Sequence, residues 1–218
     1  MLPFPPLDEI GRRLPRLMLG LVLFGLGIAF MVRSDLGLAP WDVLHQGVSE
    51  RTGLAMGTVT ILTGVAVLLL WIPLRERMGI GTVANAIVIG LVVNAALSVI
   101  EEPDPLAVRV AFLAVGIFLF GPGSGFYIGA GLGPGPRDGL MTGLARRGRS
   151  VRIVRTGIEL TALLVGAILG GTVGIGTVAF ALTVGPNVHF FLHRMTLPTP
   201  RRRTPSKGDE VPGHLEAL

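Results

Sequence analysis

Apolar residues arrive along this chain in six long blocks rather than in an amphipathic rhythm. The blocks cover residues 17–32, 56–74, 79–100, 106–128, 153–171 and 174–193. As α-helices, most are long enough to cross about 30 Å of hydrocarbon. Two shorter stretches, 41–51 and 138–147, stand between blocks. In the first, Trp41, Val43, Leu44, Gly47 and Val48 share one helical face. Asp42, His45, Gln46, Ser49 and Glu50 fall largely on the other. At 1.5 Å per residue such a helix is roughly 16 Å long, about half of a bilayer core. The pattern therefore predicts half-helices, re-entrant or lying in the interface.

The blocks repeat. LGLAPWD at 36–42 returns as LGPGPRD at 132–138, an offset of 96 residues. FGLGIAF at 24–30 faces FGPGSGF at 120–126 at the same offset. Leu44 faces Leu140, Gly47 faces Gly143 and Thr60 faces Thr156. GIGTVA at 79–84 returns at 174–179, one residue out of phase. The chain reads as two copies of one unit, each built around a Gly/Pro/Asp turn. The expected organisation is a lead at 1–15, a first membrane repeat at 16–100, a second at 106–193 and a disordered basic tail at 194–218. The acidic, Pro-containing loop at 101–105 marks the boundary between copies.

Composition agrees. Half of the 218 residues are hydrophobic, 15% are charged and the mean hydropathy is +0.67. A soluble domain carries nearer a quarter charged residues. The net charge of +5 does not point to nucleic acid, because the arginines cluster at the ends of apolar blocks and in the tail. A basic flank before the first block imitates a secretory signal. No small-residue cleavage site follows, so a retained first helix is expected.

Six spans with the N-terminus inside put Arg12, Arg13, Arg16, Arg75, Arg77, Arg137, Arg146, Arg147, Arg149, Arg152 and the tail on the cytoplasmic side. Arg33, Arg51, Arg109 and the acidic loop then lie outside, as the positive-inside rule prefers. If both half-helices cross, the spans number eight, Arg75, Arg77 and Arg137 move out, and the acidic loop moves in. Three spans per copy make the copies inverted; four make them parallel. The expected fold is an all-α polytopic bundle of six spans and two half-helices, in two inverted three-helix repeats.

The stretch LGLAPWDVLHQGVSERTG with GTVTILTGVAVLLLWIPLRERMGIGTVANAIVIG resembles the bacterial YczE-type membrane proteins, relatives of YyaS and the YitT group. GPRDGLMTGLARRGRSVRIVRTGIEL and GIGTVAFALTVGPNVHFFL extend the resemblance over about residues 16–193. It implies a multi-span inner-membrane protein and leaves the activity open.

Several residues are candidates for chemistry. Pro40 and Pro136 suit the first turn of a helix, where no N–H is needed. Asp42 and Asp138 then sit in that first turn, where a carboxylate meets the positive helix end. One reading is a well-made helix start. The other is a pair of half-helix ends facing one cavity, with the carboxylates favouring a cation, a proton or an internal arginine.

Glu159 lies inside an apolar block with Arg155 at i−4 and Arg152 two turns back. It forms either an intrahelical ion pair or part of a network of Arg137, Asp138, Arg152, Arg155 and Glu159 lining a vestibule. Asn94 matches His189 at an offset of 95, read as interhelical hydrogen bonding or a midplane polar pair. Gly121, Gly125, Gly129 and Gly133 recur every fourth residue, the spacing of close helix packing, and Pro122 is expected to kink its helix.

The candidate ligand site is therefore Asp42, Arg137, Asp138, Arg152, Arg155, Glu159, Asn94 and His189. No cysteine is present, and no metal-ligand spacing, nucleophile–base pair or phosphate loop is found, so no metal, cofactor or enzymatic activity is expected. The leading expectation is a small transporter or permease of unknown substrate, ion or small molecule. The alternative is a non-transporting accessory or scaffold protein. Expected partners are the bilayer and, for a bundle this small, a second copy.

Overall fold

A computed structural model describes residues 7–146, 148 and 150–197; residues 1–6, Arg147, Arg149 and the expected tail from 198 on lie outside them, while the first residues of that tail, Arg194 and Met195, belong to the last helix instead. The described residues form eight α-helices and no strand. They are α1 (Leu7–Ser34), α2 (Pro40–Thr52), α3 (Met56–Leu74), α4 (Ile80–Val99), α5 (Leu106–Gly129), α6 (Pro136–Ala145), α7 (Val151–Ile168) and α8 (Ile175–Met195). Helix α1 begins at Leu7, well before the apolar block, because the polar lead continues the same helix through Pro15.

Five helices, α1, α3, α4, α5 and α8, are long and apolar enough to cross a membrane. The fifth expected block, α7, has 18 residues that include Arg152, Arg155 and Glu159, which set it apart from the other five. Large apolar side chains cover the outside: Leu69, Ile72, Val99, Leu106, Leu164 and Leu182 are all exposed. In water this surface would be a liability; against acyl chains it is the favourable one.

The centre is α1 packed along α5, with small residues at the seam. A Cβ on Gly20 would strike the backbone of Gly123 and Tyr127, and one on Gly27 would strike the Gly116 carbonyl. Backbones this close gain dispersion along their whole length. Residue numbers rise along one helix as they fall along the other, so the helices run antiparallel. Both ends are closed by a reciprocal bond. Arg13 Nη1 donates to the Ala130 carbonyl (2.9 Å), past the end of α5, and Arg109 Nε donates to the Ser34 carbonyl (2.8 Å) at the end of α1. Each arginine satisfies a carbonyl that a helix terminus leaves free.

Other contacts come in the same exchanged pairs. The Gly176 N–H donates to the Leu36 carbonyl (2.7 Å) and the Gly81 N–H to the Leu132 carbonyl (2.9 Å). Gly37 (φ 116°) and Gly133 (φ 130°) lie in the left-handed region and press on Thr177 and Thr82 respectively. A side chain at either would be strained and would also clash. Thr82 Oγ1 accepts the Gly79 N–H and Thr177 Oγ1 the Gly174 N–H, which closes the starts of α4 and α8. This is why the sequence GIGTVA recurs.

The half-helices follow the same exchange: α2 packs on α7, and α6 on α3. Here large and small trade places. Gly166 of α7 receives the backbone of Val43 and Leu44, whereas Gly139 of α6 receives the ring of Trp71. Trp71 is almost fully buried and its Nε1 donates to the Pro136 carbonyl (3.0 Å). One exchange fails. Helix α3 packs closely on α4, but α7 and α8 scarcely touch.

Gly121, Gly125 and Gly129 do pack, against Asn187, Phe191 and Met195 of α8. Helix α5 runs on through Pro122. Proline has no N–H to give the carbonyl four residues earlier. Asn187 Nδ2 supplies that bond, donating to Phe118 O (3.1 Å) and to Ile117 O (2.8 Å).

Candidate functional site: a cavity between the half-helix ends

Helices α2 and α6 both begin on a proline, at Pro40 and Pro136, and neither start is capped by a side chain. The free N–H groups of the first turn and the aligned peptide dipoles give each start a positive end. The two starts converge. Arg137 stacks on Trp41, its guanidinium carbon 4.9 Å from the ring centre. Arg137 Nη2 lies 3.8 Å from Asp42 Oδ1.

A cavity of about 600 Å³ opens at this meeting point. Ala39, Pro40 and Trp41 line it from one half-helix, and Gly135 to Asp138 from the other. Phe24, Phe120 and Phe180 form an aromatic wall, with ring centres 4.5 Å apart for the first two and 4.9 Å for the last two. Ser124, Tyr127 and Asn85 add polar groups. The far side is formed by Arg155 and Glu159 of α7 and by Val184, Val188 and His189 of α8, the pair of helices that do not pack together. The volume and the mixture of apolar wall and few polar groups are those of a small-molecule site.

Asp42 is buried and serves two partners on different elements. It lies 3.4 Å from His45 Nδ1 and holds Arg137 more loosely. His45 Nδ1 also approaches Thr60 Oγ1 (3.2 Å), whose own proton goes to the Met56 carbonyl. A ring proton on Nδ1 suits both Asp42 and Thr60, and that tautomer leaves Nε2 an acceptor. His45 Nε2 and Trp41 Nε1 are buried without a hydrogen-bond partner among the described residues.

Asp138 accepts a bond from the Tyr127 hydroxyl (2.9 Å). Arg137 donates no hydrogen bond among the described residues, although part of it is exposed to the cavity. At the mouth, Arg155 Nε meets Glu159 Oε1 at 3.0 Å, the intrahelical pair that the i, i+4 spacing predicts.

Of the residues singled out in the sequence, Arg137, Asp138, Arg155, Glu159 and His189 line the cavity, and Asp42 stands behind Arg137. Arg152 does not line it; it is exposed at the start of α7. Asn94 is placed apart from His189. Its Oδ1 accepts the Gly57 N–H (2.8 Å) and its Nδ2 reaches Thr58 Oγ1 (3.2 Å), fixing the start of α3 on α4. Sequence reasoning passed over Tyr127, His45 and the three phenylalanines. Tyr127 carried a signal, being the chain's one tyrosine and placed within an apolar block. Phenylalanines in such blocks carry none.

This arrangement defines a polytopic α-helical membrane protein with a largely apolar cavity that holds a few charged groups. The family described as "Family of unknown function (DUF6198)" matches residues 11–193, and the chain belongs to it. An "Uncharacterized protein" of Haemophilus influenzae is 42% identical over 178 residues, covering 81% of this chain and 82% of that one. The "Uncharacterized membrane protein YczE" of Bacillus subtilis is 31% identical over 176 residues, 79% of this chain and 82% of the relative. YyaS of the same organism is 26% identical over 181 residues, 80% and 89%. The resemblance to the YczE-type proteins is thereby borne out. No solved structure matches.

Proposed function

We propose that this protein is a small transporter of the inner membrane, built from two inverted repeats of three spans and one re-entrant half-helix. The cavity between the half-helix ends carries this reading. A scaffold has no use for a void of about 600 Å³ holding charged groups within an apolar bundle. Inverted halves with half-helix ends meeting near the midplane are a recurrent transporter plan.

Several observations support the inversion. The antiparallel seam of α1 on α5, the reciprocal caps of Arg13 and Arg109, and the exchange of α2 on α7 for α6 on α3 are what a two-fold axis in the membrane plane produces. Trp41 and Arg137 occupy matching positions of the two copies, so their stack lies on that axis. Arg13, Arg16 and Arg146 gather at one end of the bundle with the ends of α3, α5 and α8. That end is cytoplasmic by the positive-inside rule, and the start of α1 and the end of α8 lie there. Helix α7 is the sixth crossing; at about 27 Å it is long enough, and two of its three charged residues, Arg155 and Glu159, face the cavity mouth. We assign no enzymatic step to the site.

The test uses proteoliposomes loaded with a metabolite mixture from a cell extract. Wild-type protein should release a defined subset that protein-free vesicles and Asp138→Asn retain. Equal retention by all three would overturn transport.

A further inference from the structure

We propose that the cavity takes a zwitterion with an aromatic body, a molecule of the aromatic α-amino acid class. This deepens the transport reading and rests on it for the site's purpose, though not for the binding itself.

The inference follows from three features. The first is the unused hydrogen-bonding capacity of Arg137. Its guanidinium lies over the Trp41 ring and makes no hydrogen bond among the described residues, and the carboxylate it pairs with, Asp42, is 3.8 Å away. Stacking occupies the face of a guanidinium and leaves the N–H edges free. Those edges form the fork that a carboxylate fills with two parallel bonds. The uncapped starts of α2 and α6 open on the same cavity and add backbone donors for an anionic group.

The second is Asp138, next to Arg137 on the same helix turn. Tyr127 donates to Oδ2, and a carboxylate has room for further donors. An ammonium group is the natural partner for the remainder. Across the cavity Glu159 offers a second carboxylate.

Charge balance is the third. At the cavity floor, the carboxylates of Asp42 and Asp138 face one guanidinium and two helix ends of about half a positive charge each. With His45 counted neutral, the floor is balanced, and Arg155 and Glu159 cancel each other at the mouth. A net charge brought into such a low-dielectric site is uncompensated and costly. A simple anion or cation is therefore disfavoured. An uncharged molecule keeps the balance but leaves Arg137 and Asp138 without the bonds they lose from water. A zwitterion satisfies both. Phe24, Phe120 and Phe180, arranged at tilted and edge-to-face angles, provide the surface for an aromatic ring.

Titration calorimetry of the full chain in lipid nanodiscs tests this with four molecules sharing one ring: L-phenylalanine, hydrocinnamate, phenethylamine and phenethyl alcohol. L-phenylalanine should bind at least about tenfold more tightly than the other three. Asp138→Asn should weaken it by about tenfold and turn the preference toward hydrocinnamate, while Arg137→Gln should turn it toward phenethylamine. Opposite shifts from two neighbouring residues cannot come from a general loss of folding. Equal binding of all four, tighter binding of a singly charged analogue, or no binding of L-phenylalanine overturns the proposal. Discriminating binding without flux of L-phenylalanine would leave the ligand class standing and remove transport. Flux of other solutes without discriminating binding would do the reverse.

Discussion

Arg137 lies over the ring of Trp41 at 4.9 Å, and the two residues stand at the same position of the two sequence copies. A two-fold arrangement of identical halves would place two tryptophans or two arginines there. Two arginines would repel, and two tryptophans would fill the cavity. One of each gives a cation held by a π face, with its edges free. The asymmetry of one position thus makes the difference between a seam and a site.

Trp41→Phe tests the stack. The smaller ring keeps an apolar face but has a weaker quadrupole, so the folded protein should lose about 0.5–1 kcal/mol. Apparent melting in detergent should fall by a few degrees, by about the same amount in Arg137→Gln, and little further in the double variant. Additive losses would mean that the two residues do not act together.

The chain contains no cysteine, which makes its sidedness directly measurable. Single cysteines at Glu102 and Arg77 should react with an impermeant maleimide from opposite faces of the membrane. With six spans Glu102 reacts from outside and Arg77 only after the membrane is opened. The reverse labelling would mean that the bundle sits in the membrane the other way up, and labelling of both from one face would overturn the six-span arrangement.

The seam glycines should be equally intolerant in both halves. Gly20→Ala and its counterpart Gly116→Ala each push a Cβ into facing backbone or the Met31 side chain. Each should cost about 1–3 kcal/mol and lower the yield of monodisperse protein. Gly53→Ala offers a contrast: its surroundings are open, but its φ of 72° is left-handed, so it should lose only about 1 kcal/mol through strain.

Tyr127→Phe should separate positioning from folding. The ring stays packed on Phe24, while Asp138 loses its hydroxyl donor. Melting should change by no more than about 1.5 kcal/mol in stability. The apparent affinity for L-phenylalanine should change several-fold. An unchanged affinity would place Asp138 outside the ligand's reach.

Much of this architecture was legible in the sequence because its causes are local. An apolar block of about twenty residues has few alternatives to a membrane helix, since its backbone must bond to itself in lipid. Pro40 and Pro136 mark helix starts, the boundaries of α3 agree with the block read from the sequence, and the Arg155–Glu159 pair follows from helical spacing. Duplication was visible as repeated letters. What only the tertiary structure decided is which surfaces of the copies meet. Arg13 reaches Ala130 across 117 positions and Trp71 reaches Pro136 across 65, and no periodicity announces either bond. Asn94 and His189 look equivalent in the alignment of the copies yet serve different places, because α3 closes on α4 while α7 stands away from α8. The sequence by itself determined the helices and most of their starts, α1 excepted, where the polar lead joins the apolar block in one helix. Packing between distant helices decided that two of those starts enclose a cavity, because contact depends on geometry summed over the whole chain and not on any one stretch of it.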